Sequence, residues 1–210
     1  GDLYFNQHDY YEAINHYNLM LDASRKLGIY RNPLMESDVH RKIANCFEMT
    51  GDYDSALSTL REAFKIDSAN KYLNNLIADY RQQGKIFIYM GLNQDGIRAL
   101  EKCLSLSDGL DQSLKNVNKI SIADNYLVLA QLYSVMGQTG KAFDYAEKAQ
   151  YLFQQADDNR GEMESVLTLA NIKSDLGDIF ESRQLAEKSL KKALDLKLGT
   201  SRHNQLLASI

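Results

Sequence analysis

Seven side chains in this sequence have the type and spacing to hold another molecule: Arg41, Asn45, Arg81, Lys85, Tyr89, Gln131 and Asn171. Asn45, Lys85, Gln131 and Asn171 each follow a small residue, namely Ala44, Gly84, Ala130 and Ala170. Three of the four are amides. An amide offers a donor and an acceptor together, which complements a peptide backbone and can hold an extended chain whatever its sequence. Arg41 and Arg81 would add charge, and Tyr89 a ring for stacking. The plain alternative is a solvated face that happens to be polar.

The residue types that carry catalysis stand in no catalytic pattern. His8, His16, His40 and His203 are scattered, with no second histidine at i+4 and no HExxH. Cys46 and Cys103 make no CxxC and read as buried free thiols, which favours a reducing compartment, the cytoplasm, with the periplasm left open. "GLNQDG" at 91–96 has no following lysine and no preceding strand, so it is a turn and not a phosphate loop. No serine sits in GxSxG, and Asp157, Asp158, Glu162 and Glu164 look like solvated helix starts. The expectation is a protein that is not an enzyme, with no cofactor and no metal.

Composition agrees with a binding role. The 210 residues are 44% apolar and 25% charged, and the net charge of −4 comes from 24 Lys plus Arg against 28 Asp plus Glu. The cations are spread along the chain, whereas a nucleic-acid partner would need them gathered on one face. No run of 18 apolar residues is present to span a bilayer, and the opening "GDLYFNQHDY" lacks the order of a signal peptide.

The elements that would position those seven side chains are helices. Proline occurs once, as Pro33, and apolar residues recur at helical spacing. Tyr53, Ala56, Leu57, Leu60, Ala63 and Phe64, for example, form a single stripe. No stretch alternates with period two, so the fold class is all-α.

The helices repeat. Gly51, Gly91, Gly137 and Gly177 recur 40, 46 and 40 residues apart. Five residues after them stand Ala56, Gly96, Ala142 and Ser182, and seven before them Ala44, Gly84, Ala130 and Ala170. An earlier unit keeps the frame with His8 in the glycine place, Ala13 and Gly1. The glycine predicts a left-handed helix end. Asp9, Asp52 and Asp178 next to it predict N-caps of the following helix, and Leu92 and Gln138 break that pattern. The small residues predict helices approaching to roughly 8 Å.

This frame resembles the tetratricopeptide repeat family, with Tyr4, Phe47, Phe87 and Tyr133 in its aromatic place and Lys173 departing from it. The intervals are those of its long-repeat variety, as in kinesin light chains and bacterial peptide-sensing regulators. The resemblance implies a right-handed α-solenoid of about five helix-turn-helix units. They fall at 1–27 (partial), 34–67, 71–108, 116–156 and 160–196, with the start of a further helix at 200–210 and the whole cut from a longer protein. It also implies a protein- or peptide-binding scaffold with its ligand in the concave groove, as the sensory or docking part of a larger, for instance bacterial, signalling protein. The alternative is a homo-oligomerisation module acting through its uncapped ends. The family's clamp for chaperone tails is broken, because Arg41, Asn45 and Gln82 fit it while Asp124 and Val128 stand where basic residues are needed.

Overall fold

In the computed structural model, residues 1–27, 32–110 and 112–195 are described. The further helix expected at 200–210, together with His203, lies outside the described residues. All regular structure among the described residues is helical, and the fold is an α-solenoid of helix-turn-helix pairs. The chain divides into two compact units, residues 1–107 and 108–210.

The N-terminal unit contains α1 (Asp2–Asn6), α2 (Tyr10–Leu27), α3 (Pro33–Thr50), α4 (Tyr53–Asn70), α5 (Leu73–Tyr89) and α6 (Asn93–Asp108). The C-terminal unit contains α7 (Gln112–Val117), α8 (Lys119–Val135), α9 (Thr139–Gln155), α10 (Asn159–Asp175) and α11 (Ile179–Asp195). The six-residue α7 precedes the long helix α8 and had no counterpart in the repeat frame.

Local chemistry sets the helix ends. Asn32 caps α3, its Oδ1 accepting from the amides of Leu34 at 3.1 Å and Met35 at 3.4 Å, and Pro33 occupies the first turn, where no amide is needed. Gly51 closes the same helix at φ 79°, a conformation that costs a side chain about 1 kcal/mol. His8 adopts it too, at φ 61°, in the place where the other units have glycine. The aspartates that follow act as caps: Asp9, Asp52 and Asp178 accept from the amides of Glu12, Ser55 and Glu181, each at 3.2 Å.

The small positions are where paired helices meet. Ala44, Ala56, Ala130, Ala142, Ala170 and Ser182 are all fully buried. Gly84 and Gly96 bring α5 and α6 closer still: a Cβ on Gly84 would lie 2.8 Å from the Leu100 side chain, and one on Gly96 2.8 Å from Ile88. Around these contacts sit separate patches of core. Ile14, Tyr17, Leu21, Val39 and Ile43 join α2 to α3, and Ala123, Leu127, Ala149 and Phe153 join α8 to α9. Each fully buried Leu, Ile or Phe contributes about 1.5 to 3 kcal/mol, so each pair is held mainly by its neighbours.

Candidate functional site

Within the N-terminal unit, α3 and α5 lie side by side. The frame turns Ala44 and Gly84 inward, so the residue after each, Asn45 or Lys85, is carried to the rim of the helix pair. Between them is an open cleft of about 250 Å³, walled by Arg41, Asn45 and Glu48 from α3 and by Arg81, Gln82 and Lys85 from α5. The structure thus gathers four of the seven sequence-selected residues in one place. Tyr89 lies one turn beyond Lys85 on the same side of α5, 58% exposed and stacked on Tyr53 with centroids 5.9 Å apart. Gln131 on α8 and Asn171 on α10 are exposed and belong to the C-terminal unit.

The cleft is cationic. Lys42 also lines it and pairs with Asp2 at 3.0 Å. Arg81 and Lys85 form no ion pair among the described residues, which leaves their charge facing solvent. Glu48 is the single carboxylate in the wall. Burial raises its pKa, opposed by the charge of Lys85 and a contact with Gln82 at 3.5 Å. An open cleft with amides at its rim and two cations without an ion pair suits an extended segment that carries carboxylates.

Arg41 has a second role that the sequence did not disclose. Its Nη1 donates to Asp67 Oδ2 on α4 at 2.9 Å and to Asp79 Oδ1 on α5 at 2.8 Å, and both carboxyls are fully buried. Asn75 Nδ2 donates to Asp67 Oδ1 at 3.1 Å and approaches Ser37 Oγ at 3.3 Å. Asp38 reaches the guanidinium from the exposed side at 3.7 Å. Arg41 is therefore a bolt between α3, α4 and α5, and its charge is largely committed to them rather than to a ligand.

Two buried carboxyls against one guanidinium leave a net negative charge if both ionise, and Asp79 Oδ2 has no hydrogen-bond partner among the described residues. The Asp79 carboxyl is raised to about 7, chiefly by burial, with the bond and charge of Arg41 opposing the rise and the neighbouring Asp67 adding to it. A proton on Asp79 relieves the excess. Sequence reading missed this network because an aspartate at an apolar-stripe position of a helix looks like any other polar residue. The available signal was that Asp67 and Asp79 each fall on the inward side of their helices.

Of the other tyrosines, Tyr17 and Tyr133 are buried at 5% and 4% exposure, and Tyr53 and Tyr126 are half-buried. Cys46 and Cys103 are buried free thiols, and neither lines the cleft. Among the described residues no three His, Cys, Asp or Glu side chains form a metal cluster, and no helix is long and apolar enough to cross a membrane.

Residues 1–69 match the model of the tetratricopeptide repeat family. No curated protein matches the chain. Among solved structures, BtubC (BKLC) from P. vanneervenii is similar with a TM-score of 0.77 at 17% identity, over 94% of this chain and 80% of that one. The nearly identical TPR-like repeats of a Podosopora anserina protein of kinesin light chain type align with a TM-score of 0.72 at 16% identity, over 94% of this chain and 93% of that chain. The apo form of the quorum sensor NprR from B. thuringiensis aligns with a TM-score of 0.74 at 16% identity, over 91% of this chain and 51% of that one. At these identities the likeness is one of fold.

Proposed function

For a chain whose residues 1–69 match the tetratricopeptide repeat family, we propose work as a protein-interaction scaffold that holds a peptide segment in the cleft between α3 and α5. The observation that carries the proposal is the cleft itself: Arg81 and Lys85 unpaired, Asn45 and Gln82 as amides, and a wall fixed in place by the buried bolt at Arg41. Such a surface favours an extended, acidic segment. Cations steer it in, and amides hold its backbone. Gln131 and Asn171, at the equivalent position of later repeats, are proposed to extend the same backbone-holding role in the C-terminal unit.

The sensory role follows by analogy of fold with the quorum sensor NprR. It belongs to the proposal, as does a place in the cytoplasm, which the buried free thiols Cys46 and Cys103 support. The test is a peptide array probed with the wild-type chain and with the double variant Arg81→Glu, Lys85→Glu. The wild type should select acidic segments. The double variant should lose them at least ten-fold, or shift to basic ones, at an unchanged Tm. Equal binding by both proteins would remove the cleft as the site, and light scattering that showed concentration-dependent oligomers would favour self-assembly instead.

A further inference from the structure

Helix α5 has two working sides, and the cleft uses one of them. At about 100° per residue, Tyr80, Gln83 and Phe87 lie opposite Ala78, Arg81, Gln82 and Lys85. They face α4, where Leu57, Leu60 and Phe64 complete an open pocket of about 460 Å³. That is within the range of pockets that bury most of a small ligand. Its walls are rings and aliphatic chains: Phe64 and Tyr80 meet edge to face with centroids 4.8 Å apart, and Leu60 forms part of the floor at 1% exposure.

One charge stands at this pocket. Arg61 is exposed, lines it, and forms no ion pair among the described residues, while no carboxylate lines it at all. Gln83 adds an amide. An apolar hollow with a single uncommitted guanidinium calls for a ligand that is apolar in its body and anionic at one edge. A membrane surface would be matched by several cations round a broad apolar patch, whereas here one cation stands beside one hollow. The size and the single charge fit one side chain and its neighbour.

We propose that the pocket between α4 and α5 is a second binding site, which takes a large aromatic or aliphatic side chain of a peptide with an adjacent carboxylate. The side chain lies against Phe64, Tyr80 and Phe87, and the carboxylate meets Arg61. The site is independent of the cleft between α3 and α5, since the two are served by opposite sides of α5. A ligand could engage either without the other.

The test uses three acetylated peptide amides, Glu-Phe-Glu, Lys-Phe-Lys and Glu-Ala-Glu, titrated into the isotope-labelled full chain while backbone amide shifts are followed. Glu-Phe-Glu should move the amides of α4 from 57 to 64, at an affinity at least ten-fold tighter than Lys-Phe-Lys. Glu-Ala-Glu, which carries the charge without the ring, should leave α4 still. Arg61→Glu should reverse the preference between the first two, and Gln83→Trp, which fills the hollow, should abolish the α4 shifts. Arg61 is exposed and its change keeps the test open should Gln83→Trp fail to fold. Arg81→Glu with Lys85→Glu should leave the α4 shifts unchanged, so failure here and failure of the cleft are read separately. The proposal is overturned if Glu-Phe-Glu and Glu-Ala-Glu shift α4 alike, if Arg61→Glu has no effect, or if the shifts fall on α3 alone.

Discussion

The two units are built on one frame, and each is held together internally by different chemistry. In the N-terminal unit a buried guanidinium, Arg41, links α3 to the carboxyls of Asp67 on α4 and Asp79 on α5. In the C-terminal unit rings take that part: Tyr133 and Tyr126 of α8 stack on Tyr145 of α9 with centroids 5.5 and 5.8 Å apart, and Lys148 lies over Tyr126 and Tyr145 at 5.7 and 5.3 Å. The small residues at the helix crossings are the same in kind in both. A repeat frame thus constrains where helices touch and leaves the positions between open to specialise. Buried charge demands geometry and is sensitive to its neighbours, whereas stacked rings tolerate small shifts.

The sharpest way to break this contrast is to remove the guanidinium. Arg41→Met strands two buried carboxyls, and cutting one partner from a buried ion network typically costs about 3 to 5 kcal/mol. Chemical denaturation at pH 7 should show a loss of that size. A loss under 1 kcal/mol would mean that water already reaches the site. The matching change in the other unit, Lys148→Ala, should cost about 0.5 to 1 kcal/mol, since its cation–ring contacts are at the surface.

Next in size is a pH effect confined to the charged network. Asp79 is raised from its ordinary 3.8 to about 7 in the folded chain. Its contribution is therefore fully present below about pH 4 and is lost as the pH rises through 7. Between pH 5 and 8 the loss should be on the order of 2 to 3 kcal/mol. Asp79→Asn should flatten that part of the profile. Should the wild type and the Asn variant fall in parallel, another group is titrating.

The frame shared by both units can be tested at the crossings. Ala130→Leu forces side-chain atoms into the contact of α8 with α9, where Ala130 and Ala142 have no exposure, and overpacking of this kind costs about 1 to 3 kcal/mol. Smallest of all should be Glu187→Ala, which breaks a surface pair with Arg183 and should move stability by about 0.5 kcal/mol or less. Thermal melts of the two variants side by side would show whether the crossing matters more than the surface.

Much of this was legible in residue spacing because the spacing reports backbone constraints. Gly51, Gly91, Gly137 and Gly177 have positive φ, and even His8, placed in the frame without being glycine, shares it. The caps at Asp9, Asp52 and Asp178 were legible for the same reason, since an aspartate after such a turn has free amides in reach. What could not be read was side-chain pairing across helices. Arg41 looked like a groove residue because its register is that of the groove, and nothing along the chain says that Asp67 and Asp79 converge on it. Lys71 and Asp157 take the left-handed conformation at φ 57° and 54° with no glycine to mark it, and α7 has no repeat to reveal it. The pocket between α4 and α5 was hidden for a related reason, since Phe64 and Phe87 each look like plain core residues in their own helix.

Whether a partner segment lies in the cleft between α3 and α5 is tested directly by hydrogen exchange on the full chain. With the best acidic peptide from the array bound, amides at 41–48 and 78–85 should exchange at least several-fold more slowly, and Arg81→Glu with Lys85→Glu should erase that protection. Protection that appears only outside α3 and α5, or that survives the double variant in full, would contradict it.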